Sequence, residues 1–439
     1  MKNKGKVLIG IASFLLLASL TQLSVKERDP NVIIIMADDM GFECLGAYGS
    51  TVYKTPHLDS LAKNGILFEN CVSQPLCTPS RVKLMTGKYN YRNYEKFGYL
   101  NPAEYTFGNL MKDAGYKTCI SGKWQLNGLA YKDQLPNWQD KSTPQKFGFD
   151  DSCLWQVTRT GNEGGRYAEP VFEKNGEVIH ASKEEYGPDF FSDFVVDFIE
   201  KQKEEKFFIY YPMVLVHDPF VPTPDSKSWK NEAARSKQDT ANFKDMVAYT
   251  DKIVGKIMKK LKSLDLDKNT LVIFIGDNGT HPSITSQTVN RIIQGGKGNT
   301  IDAGTHVPFI AYWPNEIKKG RIFEPLIEFS DFFPTLAEIA GKSVKSDGKG
   351  FLKLLKNENY KPRETAFVHY DPLWSNNVNR YRNQFVRSLD YKLYQDGKIY
   401  NLSNDILEQR PLAIQDLDPS AKKQIEQLKT AMRQHPDWK

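Results

Sequence analysis

Two pairs of oxygen-bearing side chains, each placed directly after a short apolar run, could together bind a metal ion. They are Asp38-Asp39 and Asp277-Asn278. Adjacent carboxylates in a crevice repel each other, so one of them is pushed to take up a proton unless a cation neutralises the pair. Carboxylate and amide oxygens suit Ca²⁺, with Mg²⁺ as the second choice, and the absence of histidine from both pairs argues against Zn²⁺. Each pair taken alone also fits a helix cap or a turn, and only their combination favours the metal.

The segment from Cys77 to Gly87 reads as a turn that enters a helix. We expect Thr78 to cap this helix, Pro79 to occupy its first position and Gly87 to end it. Cys77 then stands just before the positive end of the helix dipole, and Arg81 adds a fixed charge one turn on, so anionic oxygens would be held there. Three interpretations of the cysteine stay open: a buried structural residue, a thiolate nucleophile, or a residue modified after synthesis. The spacing to the arginine is shorter than protein tyrosine phosphatase chemistry needs, which weakens the thiolate interpretation.

Two further ionisable side chains, Lys123 and His217, also follow runs that read as strands. In open α/β sheets the ligand crevice lies outside the carboxyl ends of the strands. We therefore expect both side chains to meet the two acidic pairs at one site, although all four positions are far apart in the sequence.

The elements that position these residues alternate along the chain. Amphipathic stretches at 188–205 and 239–261 have apolar residues at three- and four-residue steps, as in helices that cover a sheet. This alternation predicts an α/β fold. Short apolar, β-branched or aromatic runs are typical of buried parallel strands and occur at 31–36, 116–121, 207–216, 271–275 and 307–313.

The composition of the chain changes after about residue 343, where it becomes rich in Lys, Asn and Gly. An Asp396-Gly397 turn joins two apolar-alternating runs, which predicts a β-hairpin, and a helical pattern begins at Pro419. We predict a catalytic domain over 25–344 and a smaller antiparallel C-terminal subdomain over 345–439.

Charge and composition exclude several classes of protein. The chain has 439 residues, 40% hydrophobic and 26% charged, with a net charge of +6. Its basic residues are dispersed, so the charge is too weak to indicate nucleic-acid binding. The five cysteines match no zinc spacing and are too few for a disulfide scaffold.

The first 24 residues read as a secretory signal peptide, with three lysines followed by an apolar run at 7–20. The run is too short to span a bilayer, although a retained membrane anchor is the alternative. We predict an exported protein, periplasmic or secreted, without a stable membrane span.

The stretch Cys77-x-Pro-Ser-Arg81, followed by Leu84-Met-Thr-Gly-Lys-Tyr, resembles the signature of formylglycine-dependent sulfatases in the alkaline phosphatase superfamily. The resemblance extends from about residue 31 to 314. It implies a large mixed sheet sandwiched by helices. The other blocks of the family occur in the expected order: Asp38-Asp39, Gly122-Lys123-Trp124, His217-x-Pro219-Phe220, Gly276-Asp277-Asn278-Gly279, Gly296-Lys297-Gly298 and Gly304-x-x-Val307-Pro308.

The resemblance also implies roles for these residues. A maturation enzyme would oxidise Cys77 to formylglycine, whose hydrated aldehyde is the nucleophile, and His217 would protonate the departing sugar oxygen. The residues that would hold the sulfuryl oxygens are Arg81, Lys123 and Lys297. The ligands of calcium would be Asp38, Asp39, Asp277, Asn278 and a hydroxyl of residue 77.

Two positions depart from the family pattern. Where the family commonly has a histidine placed to take the formylglycine proton, this chain has Gln125, which cannot titrate. The stretch Asp302 to His306 replaces a Glu-Gly-Gly block, so His306 could face substrate. Gln125, His306 and Arg380 are our candidate substrate-binding residues, and His281 is a candidate pocket residue. Other loop residues that could stack on or pair with a sulfated sugar are Trp155, Arg159, Arg166 and Trp374.

The sequence therefore predicts a sulfuric ester hydrolase that acts on a sulfated carbohydrate, of the kind that exported bacterial members of the family often use. Two alternatives stay open. One is a phosphonate or phosphodiester hydrolase of the same superfamily, and the other is a non-catalytic protein that binds sulfated glycans.

Overall fold

The computed structural model of the protein describes residues 29–135, 138–159, 165–374 and 383–437, and all statements of structure concern these ranges. The predicted signal peptide lies outside them. The strands are β1 (Asn31–Ala37), β2 (Ile66–Val72), β3 (Lys117–Lys123), β4 (Asp151–Trp155), β5 (Val171–Lys174), β6 (Glu177–His180), β7 (Phe207–Pro212), β8 (Thr270–Gly276), β9 (Thr285–Gln287), β10 (Ile292–Gln294), β11 (His306–Tyr312), β12 (Arg321–Glu328), β13 (Ala366–Tyr370), β14 (Asn383–Arg387), β15 (Tyr391–Tyr394) and β16 (Ile399–Asn401). The α-helices are α1 (Pro56–Asn64), α2 (Cys77–Thr86), α3 (Asn90–Asn93), α4 (Phe107–Asp113), α5 (Thr143–Lys146), α6 (Gly187–Lys201), α7 (Phe243–Ser263), α8 (Asp302–Thr305), α9 (Phe332–Ile339), α10 (Leu352–Leu355) and α11 (Pro419–Met432).

A ten-stranded mixed sheet forms the centre of the fold, in the order β12-β2-β11-β8-β1-β7-β3-β4-β5-β6. Strand β1 lies between β7 and β8 and pairs in parallel with both, and β3 pairs in parallel with β7. All seven residues of β1 are buried, because helices cover both faces of the sheet. The predicted α/β fold with a large mixed sheet is confirmed.

The two faces of the sheet carry separate hydrophobic cores. Ile33 and Ile35 of β1 pack with α1, α6 and α7 on one face, whereas Val32 and Ile34 pack with α2, α4, α9 and α10 on the other. This alternation follows from the two-residue period of a strand. The two predicted amphipathic helices correspond to α6 and α7.

One predicted strand runs in the opposite direction to the one expected. The run 307–313 was typical of a parallel strand, but β11 pairs antiparallel with both β8 and β2. Strand β8 ends at the same edge where β11 begins, and the described residues between them form only the β9–β10 hairpin and the short helix α8. Because no element crosses back over the sheet, β11 must return antiparallel.

A second, four-stranded antiparallel sheet lies near the C-terminus, in the order β13-β14-β15-β16. The predicted hairpin is present, with the turn at Asp396-Gly397 between β15 and β16, and Gly397 has the positive φ of 88° that such a turn favours. Helix α11 confirms the helical pattern that begins at Pro419. The domain boundary near residue 345 stays a prediction.

Within the described ranges, no helix is both long enough and apolar enough to cross a membrane.

Candidate active site

The predicted site residues meet at the carboxyl edge of the central strands. Asp38 and Asp39 follow β1, Asp277 and Asn278 follow β8, and Lys123 is the last residue of β3. The backbone of Asp38 exchanges hydrogen bonds with the chain beyond β7, at 2.8 and 2.7 Å, so the segment leading to His217 runs beside it. Neighbouring parallel strands thus bring distant parts of the chain to one place.

Two aspartates and an asparagine form a buried acidic cluster. The Asp39 amide donates to Asp277 Oδ1 at 2.9 Å, and Asn278 Nδ2 donates to Asp39 Oδ1 at 2.9 Å. Burial, together with the charges of Asp38 and Asp39, raises the pKa of Asp277. Asp277 Oδ2 and Asn278 Oδ1 are buried and have no hydrogen-bond partner among the described residues.

These orphaned oxygens fit a cation site. A buried acceptor without a donor is costly, and a divalent ion with oxygen ligands would remove both that cost and the repulsion between the carboxylates. Ligand atoms of Asp38, Asp39 and His217 also lie within 4.8 Å of one another. The donor set therefore fits a hard divalent cation.

Two lysines neutralise the cluster from opposite sides. Lys123 Nζ donates to both carboxylate oxygens of Asp38, at 2.9 and 2.8 Å. Lys297 Nζ donates to Asp39 Oδ2 at 2.6 Å. Burial opposes the charge on both lysines, but the neighbouring carboxylates outweigh it and raise each lysine pKa. Both side chains are therefore fixed ammonium groups.

Cys77 is the first residue of α2 rather than the residue before it. The expected cap at Thr78 is wrong, because its hydroxyl accepts from the Gly98 amide at 3.0 Å and so does not bond the helix end. The thiol is buried, and burial raises its pKa. This argues against an unmodified thiolate nucleophile.

Arg81 ties α2 to the end of β3. Its Nη2 donates to the Lys123 carbonyl at 2.7 Å and its Nη1 donates to the Trp124 carbonyl. Its Nε is buried and has no hydrogen-bond partner in the described part of the chain. Gly87 ends the helix in the left-handed region at φ 64°, as predicted.

His217 is oriented by its neighbours. Lys297 Nζ lies 3.0 Å from His217 Nε2, and an ammonium can only donate, so Nε2 accepts. The proton on Nδ1 is then donated to the Asp218 carbonyl at 2.6 Å. The hydrogen bond from His217 and the charge of Lys297 lower the pKa of the Asp218 carboxyl, although burial opposes this.

An open cavity of about 630 Å³ gives access to this cluster. Side chains from several loops and from α2 line it, including Cys77, Gln125, Arg166, His217, His281 and Lys297. A reacting group in the cavity would meet a buried cysteine, two cationic side chains and two histidines.

Residues 30–342 match the protein family described as Sulfatase. The chain belongs to the sulfatase family. Residues 297–436 also match the family described as N-sulphoglucosamine sulphohydrolase, C-terminal. The enzyme is thus a sulfuric ester hydrolase of the alkaline phosphatase superfamily, which confirms the resemblance drawn from the signature.

Relatives of this sulfatase cover most of its length. An N-acetylgalactosamine-6-O-sulfatase of Bacteroides thetaiotaomicron is 29% identical over 83% of this chain and 84% of the relative. Arylsulfatase A of Homo sapiens is 30% identical over 82% of this chain and 74% of the relative. A solved Bacteroides thetaiotaomicron 6S-sulfatase, described in the metabolism of multiple glycosaminoglycans, has a TM-score of 0.73 and 25% identity and covers 93% of this chain and 100% of that one.

The three candidate substrate-binding residues of the sulfatase differ in position. Gln125 lines the cavity, and its Nε2 donates to Gln156 Oε1 at 2.8 Å. His306 is not among the lining residues, since its ring nitrogens lie 3.0 Å from Asp302 Oδ2 and 2.6 Å from the Glu69 carbonyl oxygen. The expectation that His306 faces substrate therefore has no support in the geometry. Arg380 lies outside the described residues.

Three polar residues that line the sulfatase cavity were missed by the sequence reasoning. Asp218 follows a candidate catalytic histidine directly, and that adjacency was a usable signal. No signal in the sequence marked Asn299 or Tyr370. Tyr370 reaches the cavity from the end of β13, in the second sheet. His281 was flagged and does line the cavity.

Proposed function

We propose that the protein removes sulfate from a sulfated carbohydrate, with Cys77 converted to formylglycine by a maturation enzyme. The observation that carries this proposal is the position of Cys77 at the start of α2, in the cavity that also holds Lys297 and His217. The relative described as an N-acetylgalactosamine-6-O-sulfatase supports a carbohydrate substrate. The hydrated aldehyde of formylglycine supplies a nucleophilic hydroxyl that a plain thiol does not.

Calcium is the proposed metal, with magnesium less favoured. Its ligands would be the four side chains Asp38, Asp39, Asp277 and Asn278 together with a hydroxyl of residue 77. The buried oxygens of Asp277 and Asn278, which have no hydrogen-bond donor among the described residues, support this set of ligands. When bound, the ion orients the sulfate and lowers the pKa of the nucleophilic hydroxyl.

The charged side chains have separate tasks. Lys123, Lys297 and Arg81 would hold the sulfuryl oxygens and offset the negative charge that develops on them. His217 would donate a proton from Nε2 to the departing sugar oxygen, because an alkoxide leaves poorly at neutral pH. In the structure that nitrogen lies 3.0 Å from Lys297 Nζ and accepts from it, so His217 acts as the acid only once Nε2 is itself protonated.

Gln125 changes one proton transfer. Its amide is held by Gln156 and cannot act as a base. The proton that the family histidine is placed to take must here pass to water, because Lys123 and Lys297 are already ammonium groups.

Export to the periplasm or medium is a further part of the proposal. It rests on residues 1–24 alone. N-terminal sequencing of the protein recovered outside the cytoplasm would test it, and an intact N-terminus in the cytoplasmic fraction would contradict it.

The test of the proposed function is the release of inorganic sulfate from a panel of sulfated saccharides, beside phosphate release from matched phosphate esters. We expect sulfate release by the matured protein, and none by Cys77→Ala. Cys71→Ala is the matched control, since Cys71 is equally buried but lies on β2. Preferred hydrolysis of phosphate or phosphonate esters would favour the alternative of a phosphonate or phosphodiester hydrolase. Glycan binding without any hydrolysis would favour the alternative of a non-catalytic protein that binds sulfated glycans.

A further inference from the structure

A second cavity of about 580 Å³ adjoins the one at the acidic cluster. Four residues line both cavities, namely Phe97, Gln125, Arg166 and Trp374. The two cavities therefore meet at these four side chains, beside the space over Cys77.

Four aromatic side chains line the second cavity. Phe97 and Trp374 stack with ring centroids 4.4 Å apart, and Trp155 and Tyr167 supply further rings. Trp374 is 45% exposed, although a large apolar side chain is usually covered. Flat apolar faces interrupted by a few polar groups suit the C–H faces and hydroxyls of a sugar ring.

The charged side chains that line the second cavity in the described ranges are all positive. The described lining residues of this cavity include Arg166 and Arg235 and no acidic side chain. Arg235 is already engaged, because its Nε and Nη1 donate to the carbonyls of Trp229 and Lys183, each at 2.8 Å.

Arg166 is held in place with a donor to spare. Its guanidinium lies 4.0 Å from the centroid of the Trp155 ring, and only 13% of its side chain is exposed. Nη1 is buried and has no hydrogen-bond partner among the described residues, and Asp38 Oδ2 lies 3.9 Å away. A desolvated guanidinium with an unused donor is costly unless an anion completes it.

We infer that the second cavity is a subsite for a negatively charged sugar residue next to the sulfated one, and that Arg166 pairs with its acidic group. The inference rests on the proposed function and narrows its substrate to an acidic disaccharide or longer chain. Carboxylate and sulfate offer the same paired oxygens to a guanidinium, so either group qualifies.

The test compares kcat/KM for sulfate release from four substrates in matured wild type, Arg166→Gln and Arg92→Gln. The substrates are the sulfated monosaccharide and its disaccharides with a neutral, a uronic acid or a second sulfated neighbour. Arg92→Gln is a charge-matched control, because Arg92 is half exposed and pairs with Asp347 outside both cavities. We expect Arg166→Gln to lose about 10- to 100-fold on the acidic disaccharides and less than about twofold on the others.

The two acidic neighbours distinguish the sources of the charge, and the larger loss identifies the preferred one. Equal losses on all four substrates would overturn the inference and assign Arg166 to the cleaved sulfate. No loss on any substrate would overturn it in favour of a packing role.

A binding measurement separates this inference from the proposed function. The acidic disaccharide without its cleavable sulfate is titrated into Cys77→Ala while tryptophan fluorescence is followed, since Trp155 and Trp374 line the cavity. We expect saturable binding that Arg166→Gln in the same background weakens, whether or not the wild type releases sulfate. Trp374→Ala, at an exposed position, should weaken it as well. Absence of binding to folded Cys77→Ala, while the wild type releases sulfate, would refute the subsite alone.

Discussion

Asp277 and Asn278 each carry a buried oxygen to which no described residue donates, and this gives the cation site a direct test. Calcium should raise the unfolding temperature of chelator-treated protein, because a ligand at 100 times its Kd adds about 2.7 kcal/mol to the free energy of unfolding. Asp277→Asn should abolish most of this rise, measured by thermal unfolding with and without calcium. Asp225→Asn, at an exposed position, should leave it intact. A calcium response unchanged in Asp277→Asn would place the ion elsewhere.

His217 should matter in proportion to how poorly the leaving group departs. For sulfated sugars, His217→Gln should lower kcat by about 10²- to 10⁴-fold, the usual value of a positioned proton donor. For an aryl sulfate, whose phenolate leaves without a proton, the loss should be less than about tenfold. Steady-state kinetics on both substrates, with the exposed His180→Gln as control, measure the difference. Equal losses on both substrates would argue against the acid role.

The sequence was most informative about those site residues that directly follow or end a strand of the central sheet. Asp38, Lys123 and Asp277 converge because their strands are neighbours in one sheet, and the apolar runs before them were legible. The surroundings of His306 were not predictable, since its ring stacks on Phe42 and lies within hydrogen-bond distance of the Glu69 carbonyl oxygen, contacts that only tertiary packing creates. The pairing of Gln125 with Gln156 was invisible for the same reason.

Helix α2 carries Cys77 and Arg81, and its C-terminal end is closely packed. A Cβ at Gly87 would lie 2.7 Å from both Phe333 Cβ and Ser346 Oγ, and φ is +64°. Gly341 has the same φ with nothing within 4 Å of its added Cβ, so it isolates the backbone cost. Gly341→Ala should cost about 1 kcal/mol, and Gly87→Ala about 1–3 kcal/mol more. Denaturant unfolding measures both, and equal costs would show that the packing at Gly87 yields easily.

Strand positions were easier to predict than strand directions. The runs at β1, β3, β8 and β11 were found from their apolar residues, because burial on both faces leaves a continuous pattern. The direction of β11 depends on where the connection before it ends, and apolar content carries no such signal. Similarly, the second sheet was predicted from its Asp-Gly turn, but its contribution of Tyr370 to the cavity was not.

A buried ion cluster joins α2, β12 and the second sheet into one molecule. Glu328 Oε2, at the end of β12, accepts from Lys83 Nζ at 3.1 Å and from the Phe367 amide at 3.0 Å. Arg363 Nη1 lies 2.8 Å from Glu328 Oε1. Burial opposes ionisation, but the charges of Arg363 and Lys83 outweigh it and lower the pKa of Glu328.

Stability should therefore depend on pH through Glu328. Its pKa is lower in the folded than in the unfolded chain, so its contribution is full above about pH 4.5 and is lost as pH falls further. Glu328→Gln should cost about 3–5 kcal/mol at pH 7, as when one partner of a buried pair is removed. Urea unfolding should show that the difference in free energy of unfolding between wild type and Glu328→Gln becomes smaller at pH 4 and below. Glu426→Gln, at an exposed pair, is the control, and a difference independent of pH would contradict the account.

The most direct test of the whole account relates sulfate release to the chemistry of residue 77. Preparations with different degrees of maturation are made in hosts with and without a formylglycine-generating system. Mass spectrometry of the peptide around position 77 gives the aldehyde fraction, and turnover of one sulfated saccharide is measured on the same samples. The account predicts turnover proportional to the aldehyde fraction and zero for the pure thiol. Turnover that does not depend on the aldehyde fraction would contradict it.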